Sequence, residues 1–99
     1  MDKESVITRL KAAEAQIRAK GVDALYLYGS YARNEAKADS DIDIIVDFEA
    51  DRGAGLTAFM EPYHVIEACF PGVPIGYGTR DSIAPEYRSS IEKSAIRIF

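Results

Sequence analysis

Gly29-Ser30-Tyr31-Ala32-Arg33-Asn34-Glu35-Ala36-Lys37-Ala38-Asp39-Ser40-Asp41-Ile42-Asp43 links two short apolar runs. Before it, Leu25 and Leu27 alternate with Tyr26 and Tyr28, which predicts a buried strand over 24–28. After it, Ile42, Ile44, Val46 and Phe48 alternate with Asp41, Asp43, Ile45 and Asp47. That spacing predicts a strand over 41–48 with one apolar face and one face carrying acids. Gly29 breaks the first strand. A helical turn is predicted over 30–35, with Asn34 ending it in the left-handed conformation that Asn tolerates.

The two ends of this segment have complementary chemistry. Gly29 has no Cβ, so the backbone there can approach a ligand closely. The N–H groups of Ser30 and Tyr31 would open a helical turn, where phosphate binds readily, and the Ser30 hydroxyl adds a donor. Asp41 and Asp43 stand two apart on a strand, so they share a face with Cα atoms roughly 6.6 Å apart. Hard oxygen ligands on one surface suit Mg²⁺ or Mn²⁺. Such an ion can bridge the acids to a triphosphate and neutralise charge as a phosphoryl bond breaks. A glycine-serine turn alone is ordinary turn chemistry, and an Asp-x-Asp alone is ordinarily the solvated side of a strand. Together they predict a phosphoryl-transfer site.

Val6, Leu10, Ala13 and Ile17 predict an amphipathic helix over 3–20, capped by Asp2 and stopped at Gly21. A loop follows over 49–55. Leu56, Phe59, Met60, Tyr63, Ile66 and Phe70 predict a helix over 56–70, which Pro62 should kink or delay to a start near Glu61. A third strand over 73–79 is weakened by Gly76 and Gly78. Pro85 opens a last helix whose inner face is marked by Ile83, Tyr87, Ile91 and Ala95. The class expected is α/β (α+β), as one domain over 1–99.

The chain of 99 residues has 12 basic and 16 acidic side chains, a net charge of −4. Without a Lys/Arg cluster, direct nucleic-acid binding is not expected, because that binding depends on neutralising phosphates. Carboxylates suit a metal ion or a basic partner surface. The single cysteine, Cys69, excludes an internal disulfide and fits a reduced, cytoplasmic setting. The N-terminal residues do not open a signal peptide, and no apolar run approaches the ~20 residues of a membrane span. His64 is the sole histidine and is placed on the surface. Tyr26, Tyr28, Tyr63, Tyr77 and Tyr87 are placed in the core or at its edge. Asp47 shares the acidic face but lies roughly 13 Å from Asp43 by strand rise, too far for one metal.

Gly-Ser, ten residues, Asp-x-Asp and an apolar run resemble the signature of the DNA polymerase beta-like nucleotidyltransferases. Ala32-Arg33 and the run from Ser40 to Phe48 sharpen the likeness to the minimal nucleotidyltransferases, the MNT family. The resemblance covers most of the chain. It implies the nucleotidyltransferase fold, a mixed β-sheet packed with helices. It also implies transfer of a nucleoside monophosphate, AMP where ATP is the substrate, to a protein or other hydroxyl acceptor with Mg²⁺ (or Mn²⁺) as cofactor. Such proteins commonly pair with a helical HEPN-type toxin in a toxin–antitoxin system, as the antitoxin, and some transfer AMP to a tyrosine of the toxin. Carried onto this chain, Gly29 and Ser30 hold phosphate, and Asp41 and Asp43 hold metal and serve catalysis. Arg33 has two readings, a phosphate contact or a salt bridge with Glu35 or Asp39.

The family also supplies a third carboxylate from a later strand. Here the register lays Ile75-Gly76-Tyr77-Gly78-Thr79 on that strand, and the acid position falls on Gly76. The departure predicts a protein that binds metal and nucleotide with weak or absent transfer, unless Asp81 reaches in. The alternative is a catalytically impaired antitoxin that acts by binding its toxin. The apolar tail over 96–99 either docks on a partner or packs into the core.

Overall fold

A computed structural model of the chain describes residues 1–50 and 55–99. Most of the loop expected over 49–55 therefore lies outside the described residues. The centre is an antiparallel pair, β1 (Val22–Tyr28) and β2 (Ile42–Phe48). β3 (Ile75–Gly78) runs parallel to β2, and β4 (Ile96–Arg97) runs antiparallel to β1. The order β3-β2-β1-β4 makes a mixed sheet of four strands.

Strand alternation divides the sheet as the sequence predicts. Leu25, Leu27, Ile42, Ile44 and Val46 are fully buried. They meet Val6 and Leu10 of α1 (Lys3–Ala12), Ile17 of α2 (Glu14–Ala19), and Ile66 and Phe70 at the end of α4 (Leu56–Cys69) in one core. The opposite face carries Tyr26, Tyr28, Asp43, Ile45 and Asp47. α3 (Gly29–Ala32) is the single turn after β1, and α5 (Pro85–Ser94) crosses this second face as far as α3. No described helix is long and apolar enough to cross a membrane.

Several elements differ from their predicted forms. The helix expected over 3–20 breaks at Ala13, whose ψ of 4° leaves the helical range. Both halves keep their apolar side on the sheet, since Leu10, Ala13 and Ile17 are all buried. Asp2 caps α1 as expected, its carboxylate accepting the Ser5 N–H at 2.9 Å. β1 begins at Val22, with an irregularity between Val22 and Ala24. The delayed start at Pro62 is not taken. α4 begins at Leu56 and runs through Pro62, which is fully buried. Tyr87 does not lie on the inner face of α5; it is 61% exposed. Ile83, Ile91 and Ala95 do turn toward the sheet. The tail packs into the core: Ile98 and Phe99 are buried, Ile98 N–H donates to Leu25 O at 2.8 Å, and Leu25 N–H donates to Phe99 O at 3.1 Å.

Candidate active site

The turn that leaves β1 is shaped by Gly29, whose φ of +75° favours glycine. The helical turn it opens is shorter than predicted, four residues over Gly29–Ala32. So short a helix has little dipole, and its offer to a ligand is close backbone and free leading N–H groups. Asn34 takes the left-handed conformation at φ 58°, as expected. Glu35 N–H donates to Ser30 O at 2.8 Å and tightens the return of the chain. The Ser30 hydroxyl has no protein partner among the described residues. Tyr31, within the same turn, is buried in the core.

Asp41 stands exposed, one residue before β2, and Asp43 is half-buried on it. Registers on both sides fix the surroundings of Asp43. It pairs with Tyr28 of β1, next to Gly29, and with Gly76 of β3. The carboxylate fills the space both glycines leave open. A Cβ on Gly29 would collide with its Oδ2, and one on Gly76 would stand 2.5 Å from its Oδ1. The glycine turn and the acid therefore abut directly.

Burial raises the Asp43 pKa above the ordinary carboxylate range; the Asp41 charge raises it further, and Arg33 partly opposes both. Tyr28 is raised in turn, first by burial and then by Asp43. Arg33 also pairs with Glu35, Nε to Oε2, at 3.7 Å. This is one of its two predicted partnerships, and it leaves the guanidinium within electrostatic range of the acids.

Two neighbouring carboxylates, one of them feeling the charge of the other, suit a hard divalent cation. Among the described residues no third acid, histidine or cysteine joins them. Asp41 and Asp43 would hold such an ion, which would supply charge neutralisation there. The position facing Asp43 on β3 is Gly76, as the sequence register predicts. Asp81 does not reach in. It lies in the 3-10 turn Arg80–Ser82, beyond Gly78, which already pairs with Ile45 and leads away from Asp43.

The remaining candidates have structural roles. Asp47 receives Arg80 Nε at 3.3 Å, and Arg80 Nη1 reaches Glu92 at 3.2 Å. Ser40 Oγ accepts the Lys37 N–H at 2.8 Å, which makes it a turn residue, and Asp39 is exposed beside it. His64 is on the surface, 3.8 Å from Glu67. Cys69 donates its thiol to Val65 O at 3.4 Å, and burial pushes its pKa up, so it is an inert packing residue. One feature had no sequence signal: a cavity of about 210 Å³ between α5 and the acid-bearing face.

Comparison with known proteins agrees with this fold. The model of the nucleotidyltransferase domain family matches residues 9–98. The protein adenylyltransferase MntA of Thermococcus cleftensis is 35% identical over 95 residues, covering 95% of this chain and 89% of its own. A Methanocaldococcus jannaschii chain assigned as a protein adenylyltransferase is 33% identical over 78 residues, 78% of this chain and 77% of its own. A solved structure assigned as a minimal nucleotidyltransferase superposes with a TM-score of 0.78 at 30% identity, over 97% of this chain and 95% of that one.

Proposed function

The chain belongs to the nucleotidyltransferase domain family, among the minimal nucleotidyltransferases, and from that premise we propose that it binds a metal–nucleoside triphosphate at Gly29, Ser30, Asp41 and Asp43. The observation that carries this reading is the contact between turn and acid. Gly29 must lack a side chain because the Asp43 carboxylate occupies that space. A triphosphate lying on the turn would then meet Asp43, with Asp41 two residues before it on the chain.

Asp41 and Asp43 would hold the divalent ion, Mg²⁺ or Mn²⁺, which supplies charge neutralisation at the phosphates. ATP is the proposed nucleotide, after the adenylyltransferase relatives. The Gly29 backbone and Ser30 hydroxyl hold phosphate oxygens, with Arg33 adding charge from the side. In transfer, the acceptor hydroxyl oxygen bonds to the α-phosphorus as the bond to the α,β-bridging oxygen breaks. Pyrophosphate leaves, and the acceptor proton passes to water. A positioned base is typically worth about 10²–10⁴-fold, and Gly76 provides none. Transfer of AMP is therefore slow, and binding outlasts catalysis as the site's main capacity.

Gly76 also favours a second reading, in which the protein works in the cytoplasm as an antitoxin that holds a HEPN-type toxin without modifying it. Calorimetric titration of Mg-ATP into the wild type and into Asp41→Asn/Asp43→Asn tests the first reading. Binding to the wild type alone supports it; binding to neither protein sinks it. Neutralisation of a toxin partner that survives the double substitution would favour the second. Gly76→Asp, with the Asp43 carboxylate rotated aside, should raise AMP transfer over the wild type.

A further inference from the structure

The cavity beneath α5 lies one pleat repeat along the sheet from Asp43. Tyr26 and Ile45 pair across β1 and β2 and share a face with Tyr28 and Asp43, two residues away. By strand rise the cavity floor begins roughly 7 Å from the acid. Ile45, Ile83, Ile91 and Ala95 make its walls apolar, and Arg80, Arg88 and Arg97 line it as well. Three of the seven arginines of a net-acidic chain thus converge on one concavity.

These guanidiniums are not equivalent. Arg80 is committed: it binds Asp47 and Glu92 and stacks over the Tyr26 ring at 4.9 Å. Arg88 donates only Nε, to Ile83 O at 3.0 Å, and Arg97 donates only Nε, to Phe99 O at 3.2 Å. Their Nη groups have no protein partner among the described residues. Glu92, the one acid of the lining, is already engaged by Arg80. A planar guanidinium fork beside an apolar wall recognises a carboxylate on an aliphatic stem.

Size narrows the occupant. The cavity of about 210 Å³ falls below the ~300–1,000 Å³ of pockets that enclose whole small ligands. A space of this size matches a single side chain. We propose that this cavity is an acceptor-side subsite for a glutamate side chain of the protein segment that presents its hydroxyl at Asp43. The assignment rests on the nucleotidyl-transfer reading of the neighbouring site, and it gives that site a preference for acidic acceptor segments.

The test is fluorescence anisotropy with labelled peptides carrying a central tyrosine flanked by glutamates, against the same peptides with glutamines. The wild type should bind the glutamate peptide at least about tenfold more tightly, the scale of one charge-assisted hydrogen bond. Arg88→Gln/Arg97→Gln should lose the discrimination. Ile91→Phe, which fills the cavity and leaves every charge in place, should lose it too. Mg-ATP affinity should be unchanged in both variants, since neither alters Gly29, Ser30, Asp41 or Asp43. Equal affinity for the two peptides, no binding of either, or discrimination retained by both variants overturns the subsite. Discrimination by a wild type that fails to bind Mg-ATP would instead sink the proposed function and leave the glutamate preference standing.

Discussion

Asp43 burdens the free protein. Its carboxylate is half-buried and faces the charge of Asp41, so its pKa in the fold lies above that of the unfolded chain. For a carboxyl group raised in this way, stability is fully present below the unfolded pKa and is lost as pH rises through the folded one. At neutral pH the ionised group therefore weakens the fold. Asp43→Asn should melt above the wild type at pH 7 in chelator, with the gap closing as pH falls toward the ordinary carboxylate range near pH ~4. Thermal scans across that range check the sign. Addition of Mg-ATP should raise the wild-type melting point and leave the variant unmoved, because a ligand stabilises only the state that binds it. Gly29→Ala meets two obstacles at once, a φ of +75° and the Asp43 oxygen. The backbone cost alone is about 1–2 kcal/mol, read by urea denaturation. Mg-ATP affinity should fall by about tenfold or more, a 1.4 kcal/mol loss from displacing the metal-binding acid.

At the scale of elements, strict alternation made the two central strands and their buried faces legible, because a period of two admits only one side for Leu25, Leu27, Ile42 and Ile44. The glycine turn and the left-handed Asn34 were legible from local chemistry. Gly76 opposite Asp43 was legible only through family resemblance, since no period reveals which strands run parallel. What escaped depended on tertiary packing. Ala13 is an excellent helix residue that breaks a helix, and Pro62 is a poor one kept inside a helix by its burial. Tyr87 fits the apolar period of α5 but faces solvent, on a helix none of whose residues is fully buried. The cavity itself gathers residues from β1, β2, the 3-10 turn, α5 and β4, too scattered for any sequence pattern. The tail, by contrast, is firmly placed. Arg18 lies over the Phe99 ring at 4.7 Å, and that ring closes the end of the core. Phe99→Ala should cost about 3–5 kcal/mol, measured by chemical denaturation, and leave nucleotide affinity per folded molecule intact.

For the molecule as a whole, the net charge of −4 sets its long-range company. A net negative charge opposes nucleic acids and other polyanions at long range. The protein should pass through a heparin column at ~0.15 M salt, and retention there would contradict this view of its surface. Among the described residues the layers are unequal: α1, α2 and α4 pack on one side of the sheet, while α5 covers only part of the other. Access to Asp43 is therefore from one side of the sheet. The borders of the sheet have a separate consequence. β3 is four residues long with two glycines, and β4 is two residues long with an arginine. Such stubs give another chain's strand almost no ladder to extend. Even at high concentration, the protein should resist fibre growth by pairing along β3 or β4.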